Sequence, residues 1–215
     1  MSHYPHLDAL IQTMATLRGE NGCQWDREQD HHSLVSYLIE EVHELVDAIE
    51  SDDRAGMREE LGDVLYQVLF HTDIARVDAE DPFDIDDVAR LVNEKMRRRH
   101  PHVFEGVQVG GVDDIKDNWQ KIKSAEKSDR RSVLDGVPQS LTGLARADAV
   151  MTRAARIDQA PEATDPLPPT DSSAWGRWLL HQIDQARSRG INVDQALRGA
   201  LREFEQRVAE AEKAQ

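Results

Sequence analysis

Residues 33–77, SLVSYLIEEVHELVDAIESDDRAGMREELGDVLYQVLFHTDIARV, decide the fold. Leu34, Leu38, Val42, Leu45 and Ile49 recur at steps of three and four, the period of a helix with one buried face, so a helix is expected from Ser33 as N-cap to about Glu50. Met57, Leu61, Val64, Leu65, Val68 and Leu69 set another, from about Arg54 to Val77. Asp52 and Asp53 leave room only for a tight turn between them, which makes the two helices antiparallel neighbours.

The same period extends outward. Leu7, Leu10, Ile11, Met14 and Leu17 mark a helix from about Pro5 to Arg18 that stops near Gly19. Gly22 to His32 has no apolar period and reads as a loop carrying Trp25. A helix from about Ile85 to Arg99 turns Val88, Leu91 and Val92 inward and ends ahead of His100-Pro101, because proline disfavours helix in the residue before it. After the glycine-rich stretch Gly106 to Gly111 comes a helix over about Val112 to Glu126, then a linker from Ser128 to Val137. The last third is helical, interrupted by a proline-rich loop over about residues 159–172, and resumes as two helices, the final one from Val193 to Glu212. The expectation is an all-α chain with a first module over 1–130 and a helical C-terminal part over 131–215.

Composition narrows the function. With 39% hydrophobic and 31% charged residues the chain reads as soluble and globular, and no apolar run approaches the roughly 18 residues of a membrane span. A net charge of −15 argues against a nucleic-acid polymer as partner, since phosphate backbones demand surplus Lys and Arg. A polyphosphate remains compatible, provided divalent cations bridge carboxylates to phosphate oxygens. Cys23 is the only cysteine, so no intramolecular disulfide forms, and a cytoplasmic setting is expected.

The chemistry-bearing residues sit in the opening stretch. Glu41 and Glu44 lie three apart, as do Glu60 and Asp63, so each pair shares a helix face. If the antiparallel helices bring the pairs together, the like charges need compensation by cations, protonation or basic partners. All-oxygen ligation suits Mg²⁺ or Mn²⁺, which hold a polyphosphate and activate the attacking water. Glu40, about 100° around the helix from Glu41, is placed for a second metal or for taking the water's proton. The alternative is that these glutamates are solvated helix surface; against it, Asp63 stands among Leu61, Val64, Leu65 and Val68, where an unpaired carboxylate is costly. Lys95, Arg98 and Arg99 at the end of one helix, and Lys123 with Asn118 and Trp119 on the next, can grip phosphates or serve as ordinary solvated cations.

The run Glu40-Glu41-Val42-His43-Glu44 followed by Glu60-Leu61-Gly62-Asp63 resembles the EExxE and ExxD elements of the MazG-type nucleoside triphosphate pyrophosphohydrolases. Gly22-Cys23-Gln24-Trp25-Asp26 with Gln29 and His31, Arg98 to Phe104, Asn118-Trp119 to Lys123, and Val133 to Pro138 are similar to further family segments in the same order. The resemblance covers about residues 5–140 and implies a four-helix architecture, a tight homodimer, and Mg²⁺-dependent attack at the α-phosphorus of a nucleoside triphosphate that releases pyrophosphate. It implies Glu41, Glu44, Glu60 and Asp63 as metal ligands with Glu40 assisting, Lys95, Arg98 and Lys123 on the triphosphate, and Trp25 and Trp119 near the nucleoside. Two departures flank Trp25: Gln24 replaces the family's usual Pro, and Asp30 its usual Thr. At the C-terminus, Ala174 and Arg177 stand where a second module would carry its Glu and Asp, so a degenerate copy without catalysis is expected there.

Two other classes compete. Glu28-x-x-His31 and Glu40-x-x-His43 match the spacing of di-iron helical bundles, although Glu28 and His31 fall in the expected loop. A non-enzymatic helical interaction module is the other, and it leaves the meeting of acidic and basic groups unexplained.

Overall fold

Helices form throughout the described residues, 4–126, 132–162 and 170–213 of a computed structural model, and no strand occurs among them. They run α1 (Pro5–Leu17), α2 (Gln24–Glu28), α3 (Val35–Glu50), α4 (Arg54–Arg76), α5 (Ile85–Arg99), α6 (Pro101–Phe104), α7 (Val112–Ala125), α8 (Gly143–Ala154), α9 (Ser172–Ser188) and α10 (Val193–Lys213). The chain divides into two units, Met1–Ser124 and Ala125–Gln215.

In the first unit α4 is central, packing against α3, α1 and α5. Met14, Leu34, Leu69 and Phe70 are nearly fully buried together, with Leu10, Ile11, Tyr66, Ile74 and Ile85 against them. That core sits around the C-terminal half of α4, and each such side chain withdrawn from water contributes about 1.5–3 kcal/mol. At the opposite end of the hairpin, Asp52 takes a left-handed φ of 58° and Asp53 caps α4 by accepting from the Ala55 and Gly56 amides. A Cβ on Gly56 would come within 2.8 Å of Asp53 Oδ2 and 3.5 Å of Ala48 Cβ, so glycine lets the first turn of α4 close against α3. Asp84 and Asp87 form a reciprocal capping box at the start of α5.

Several expectations are corrected. The stretch Gly22 to His32 contains α2, drawn in by Arg18, whose guanidinium donates to the carbonyls of Asp26 and Gln29 while its Nε pairs with Asp73. Ser33 does not cap α3: its hydroxyl accepts from the Asp30 amide and donates to Gln29 Oε1, closing the turn before the helix. The helix ends at Arg99 as expected, and Pro101 then opens the single turn α6, because its fixed φ suits the first helical position. Val42, Ile49, Leu61, Leu65, Leu91 and Val92, expected inside, are all exposed. Each of these helices meets its neighbours through one face, and the second apolar stripe finds no cover within this unit.

In the second unit α8 packs on α9, and α10 touches both. Met151 and Ile183 are buried between them. Arg153 donates to the carbonyls of Leu134, Asp135 and Gly136, tying the segment before α8 to that helix. Trp175 meets Trp178 edge-on at 5.0 Å but stays 44% exposed, so it is not a core residue. Parts of the expected linker and proline-rich loop, residues 127–131 and 163–169, lie outside the described residues.

Candidate active site

The α3–α4 turn sets the register of everything along the hairpin. Ala48 faces Gly56 beside the turn, and Glu41 faces Glu60 and Asp63 farther along. His31 meets His71 beyond the start of α3, with 2.8 Å between the Nδ1 atoms. Each crossing steps back along the chain ahead of the turn about as far as it steps forward along α4. The regular spacing of two helices from one turn is what delivers carboxylates from separate segments to one place.

Glu41, Glu60 and Asp63 each offer one carboxylate oxygen, and the three oxygens lie within 4.8 Å of one another. All three residues are half-buried. Glu60 Oε2 is buried with no hydrogen-bond partner among the described residues, and no Lys or Arg there pairs with any of the three. Burial first, then the charges of Asp63, Glu44 and Glu40, push the Glu41 carboxyl above its ordinary range. Burial, followed by Glu44, Asp63, Glu59 and Glu41, does the same to Glu60.

Of the five carboxylates read from the sequence, three therefore converge. Glu44 and Glu40 stay exposed at the edge, acting on the others through their charge. The donor set is all oxygen, and among the described residues no Lys or Arg pairs with it and one buried oxygen lacks a donor. These features fit a hard divalent cation better than a soft metal. Among the described residues no histidine joins the group, and Glu28 bonds to Gln24 instead, so the di-iron ligand arrangement is not formed.

The basic residues form a separate cluster. Arg99 is 7% exposed, with its guanidinium 5.2 Å from the Trp119 ring centre, and Lys123 Nζ lies 4.5 Å from the same ring. Lys95 and Asn118 are half-buried and Arg98 is exposed. None of the five carboxylates forms an ion pair with this cluster. Trp25, on α2, is 48% exposed and meets Tyr37 of α3 edge-on, with ring centres 5.7 Å apart.

Sequence reasoning missed Tyr37, Gln67 and the Arg18–Asp73 pair. Tyr37 lies one turn before Glu41, and Gln67 one turn after Asp63, so helical spacing from the carboxylates was the available signal. His43 is exposed, and His71 stacks on His31 with ring centres 5.1 Å apart.

Comparison with known proteins gives this arrangement a lineage. Residues 29–104, which contain Glu41, Glu60 and Asp63, match the MazG nucleotide pyrophosphohydrolase domain. A 26.1 kDa protein of Streptomyces cacaoi is 42% identical over 94% of this chain and 81% of its own length. The nucleoside triphosphate pyrophosphohydrolase of Escherichia coli strain K12 is 32% identical over 96% of this chain and 87% of its own. The nucleoside triphosphate pyrophosphohydrolase/pyrophosphatase MazG of Thermotoga maritima is 36% identical, covering 95% and 85%. With similarity running along nearly the whole of both chains and the domain match centred on the carboxylate hairpin, the chain belongs to the MazG nucleotide pyrophosphohydrolase family.

Proposed function

We propose that this protein is a hydrolase of the MazG type that cleaves nucleoside triphosphates to monophosphate and pyrophosphate at the Glu41–Glu60–Asp63 cluster, with Mg²⁺ as its metal and Mn²⁺ able to replace it. The carrying observation is the convergence of three half-buried carboxylate oxygens within 4.8 Å across the hairpin. Glu41, Glu60 and Asp63 would hold the cation, with Glu44 as a further ligand from the next turn of α3. The cation would neutralise phosphate charge and lower the pKa of the attacking water. Glu40, exposed beside Glu41, accepts that water's proton. Lys95, Arg98, Arg99 and Lys123 supply positive charge for the phosphates, and Trp25, Asn118 and Trp119 face the nucleoside.

Attack at the α-phosphorus is supported by the family relationship. Ribo- and deoxynucleoside triphosphates, oxidised and non-canonical ones among them, are the proposed substrates, as nucleotide-pool house-cleaning. A homodimer is supported by the uncovered apolar stripe on α3 and α4. A cytoplasmic setting agrees with the single cysteine, and no described helix is long and apolar enough to cross a membrane. We take residues 1–130 as the catalytic module and 131–215 as a degenerate second copy; the absence of a comparable acidic group among the described residues of the second part supports this.

Anion-exchange analysis of the products from canonical and oxidised nucleoside triphosphates with Mg²⁺ tests the reading. Monophosphate and pyrophosphate are expected from the native chain and neither from Glu41→Gln or Asp63→Asn. Diphosphate and orthophosphate would overturn the position of attack, and no turnover by the native chain would favour a binding module.

A further inference from the structure

The chain enters α3 through a turn, residues 30–33, that is closed on itself by the Asp30 side chain, which accepts from the His32 and Ser33 amides. His31 reaches from this turn to α4, where its Nδ1 lies 2.8 Å from Nδ1 of His71 and the two ring planes are parallel to within 3°. The α3–α4 pair is thereby tied at both ends, by the chain itself at Asp52 and Asp53 and by two imidazoles at the other, with the Glu41–Glu60–Asp63 cluster between.

Two nitrogens at that distance share one hydrogen, and the surroundings decide which ring carries it. His71 is half-buried and its Nε2 is buried without a partner among the described residues, whereas His31 is exposed. A hydrogen on His71 Nε2 would be a buried donor with no acceptor; Gln67 Oε1, one turn earlier on α4, is itself without a partner and so does not supply one. His71 therefore keeps its hydrogen on Nδ1 and donates it to Nδ1 of His31, whose own hydrogen sits on Nε2.

Acid removes that acceptor. A proton added to His31 fills the lone pair His71 donates to and sets two N–H groups against each other, while one added to His71 Nε2 would be buried unpaired. The surrounding charges favour the first outcome. Amide hydrogen bonds from Asp81 and Glu80 lower the Asp78 carboxyl, burial opposes them, and the charge of His31 lowers it further, so Asp78 attracts His31 as a cation. Burial, and then the charge of His31, lower His71, and among the described residues no charge on α1, α3 or α5 shifts it. Asp30 is engaged within its own turn, and Arg18 of α1 pairs with Asp73 of α4.

We propose that His31 and His71 form an acid-released clasp, which closes the open end of the carboxylate hairpin while His31 is neutral and lets go of the turn at 30–33 when His31 takes a proton. The clasp stands on the imidazole contact and extends the hydrolase reading by making the hairpin's turnover sensitive to pH. Arg18 holds the carbonyls of Asp26 and Gln29 through a guanidinium that does not titrate in this range, so α2 stays attached while the turn after it loosens. The lowering of His71 has the sign such a device needs: its contribution to holding the turn is present above 6.5 and is lost as pH falls through its folded value.

Two substitutions at exposed His31 bracket the native chain. His31→Asn puts an amide oxygen where Nδ1 stands, an acceptor that does not titrate, and His31→Phe keeps a ring with no lone pair. Hydrogen exchange of the amides at 30–33 is followed in the full chain in EDTA, with all three chains compared at the same pH so that intrinsic exchange cancels. At about pH 8 the native chain should match His31→Asn, with His31→Phe exchanging about tenfold faster; at about pH 5 it should match His31→Phe while His31→Asn stays protected. The amides of α2 should not respond. Native exchange equal to that of one and the same variant at both pH values overturns the clasp. With Mg²⁺ and triphosphate, the ratio of native to His31→Phe kcat/KM should fall towards one over the same range, and a ratio indifferent to pH overturns the link to the site. Hydrolysis by none of the three chains would defeat the hydrolase reading and leave the exchange result to decide the clasp.

Discussion

Arg18 Nε lies 3.0 Å from Asp73 Oδ2, and both side chains are only 11% exposed. The same guanidinium donates to the carbonyls of Asp26 and Gln29 and stands 5.1 Å from the centre of the Phe70 ring. One buried cation thereby fastens the α2 segment, with Trp25 on it, to the core half of α4. Asp73 also pairs with Arg76 at 2.9 Å, so losing Arg18 does not strand the carboxylate; what it strands is the pair of carbonyls on Asp26 and Gln29. Arg18→Leu should lose about 1–3 kcal/mol in urea unfolding, and Arg18→Lys should recover only part, because an ammonium cannot reproduce the planar fork. A change below about 0.5 kcal/mol for Arg18→Leu would show that the pair is not holding the segment.

The three-oxygen cluster predicts an order of damage among its carboxylates. Asp63→Asn, Glu60→Gln and Glu41→Gln each remove a group from the convergent set. They should lower kcat by on the order of 10³-fold, equivalent to about 4 kcal/mol of barrier. Glu44→Gln, exposed at the edge, should cost about tenfold. Calorimetric titration with Mn²⁺ in the absence of nucleotide should weaken in the same order. If Glu44→Gln proves as damaging as Asp63→Asn, the bound state draws Glu44 fully into the ligand set.

Periodicity made α3, α4 and α5 legible, since long helices that bury a stripe repeat their apolar residues at a fixed step. The carboxylate site followed from the same regularity: spacings of three on two helices joined by a short turn have few ways to arrange themselves. α2 was not legible, because five residues hold too little periodicity to distinguish a helix from a loop. Ser33 misled for a local reason: a hydroxyl can cap a helix or close the turn before it, and only the position of Asp30 decides. Gln67 and Tyr37 fall within helical runs dominated by apolar residues, so neither draws attention until the register is known. Val42 and Leu61 expose a different limit: hydrophobic spacing identifies a face that avoids water but not the chain that covers it.

Raised carboxyls make stability depend on pH. Burial and the surrounding carboxylates hold Glu41 and Glu60 above the ordinary value of 4.5, so both bind protons more tightly folded than unfolded. Their contribution is therefore greatest in acid and is lost as pH rises from that value through their folded ones. Asp30, Asp78 and Asp87 act oppositely: hydrogen bonds from backbone amides lower them, so their contribution is present above 3.8 and is lost as pH falls through their folded values. His71, lowered by burial and then by the charge of His31, acts oppositely to the two glutamates below 6.5, so in EDTA the native urea midpoints should show a decline relative to those of Glu60→Gln as pH rises above 4.5. Saturating Mg²⁺ should abolish it in the native chain. A native slope identical to that of Glu60→Gln would mean the cluster is not the source.

The exposed apolar stripe sets the last prediction. On α3, Val35, Ile39, Val42 and Ile49 are 47%, 49%, 42% and 51% exposed at steps that keep them on one side of the helix. On α4, Leu65 and Leu61 are 37% and 52% exposed, so both helices of the hairpin carry apolar side chains open to water. A surface of this kind is costly in water and favours association when a second copy offers the same face. Sedimentation should give the mass of two chains for the native protein. Leu61→Lys combined with Ile39→Lys would place charges in the covered surface and should yield one chain of unchanged helical content, because neither side chain supports the core of its own subunit. A native single chain across micromolar concentrations would remove the homodimer reading. Persistence of the dimer in the double variant would move its interface away from α3 and α4.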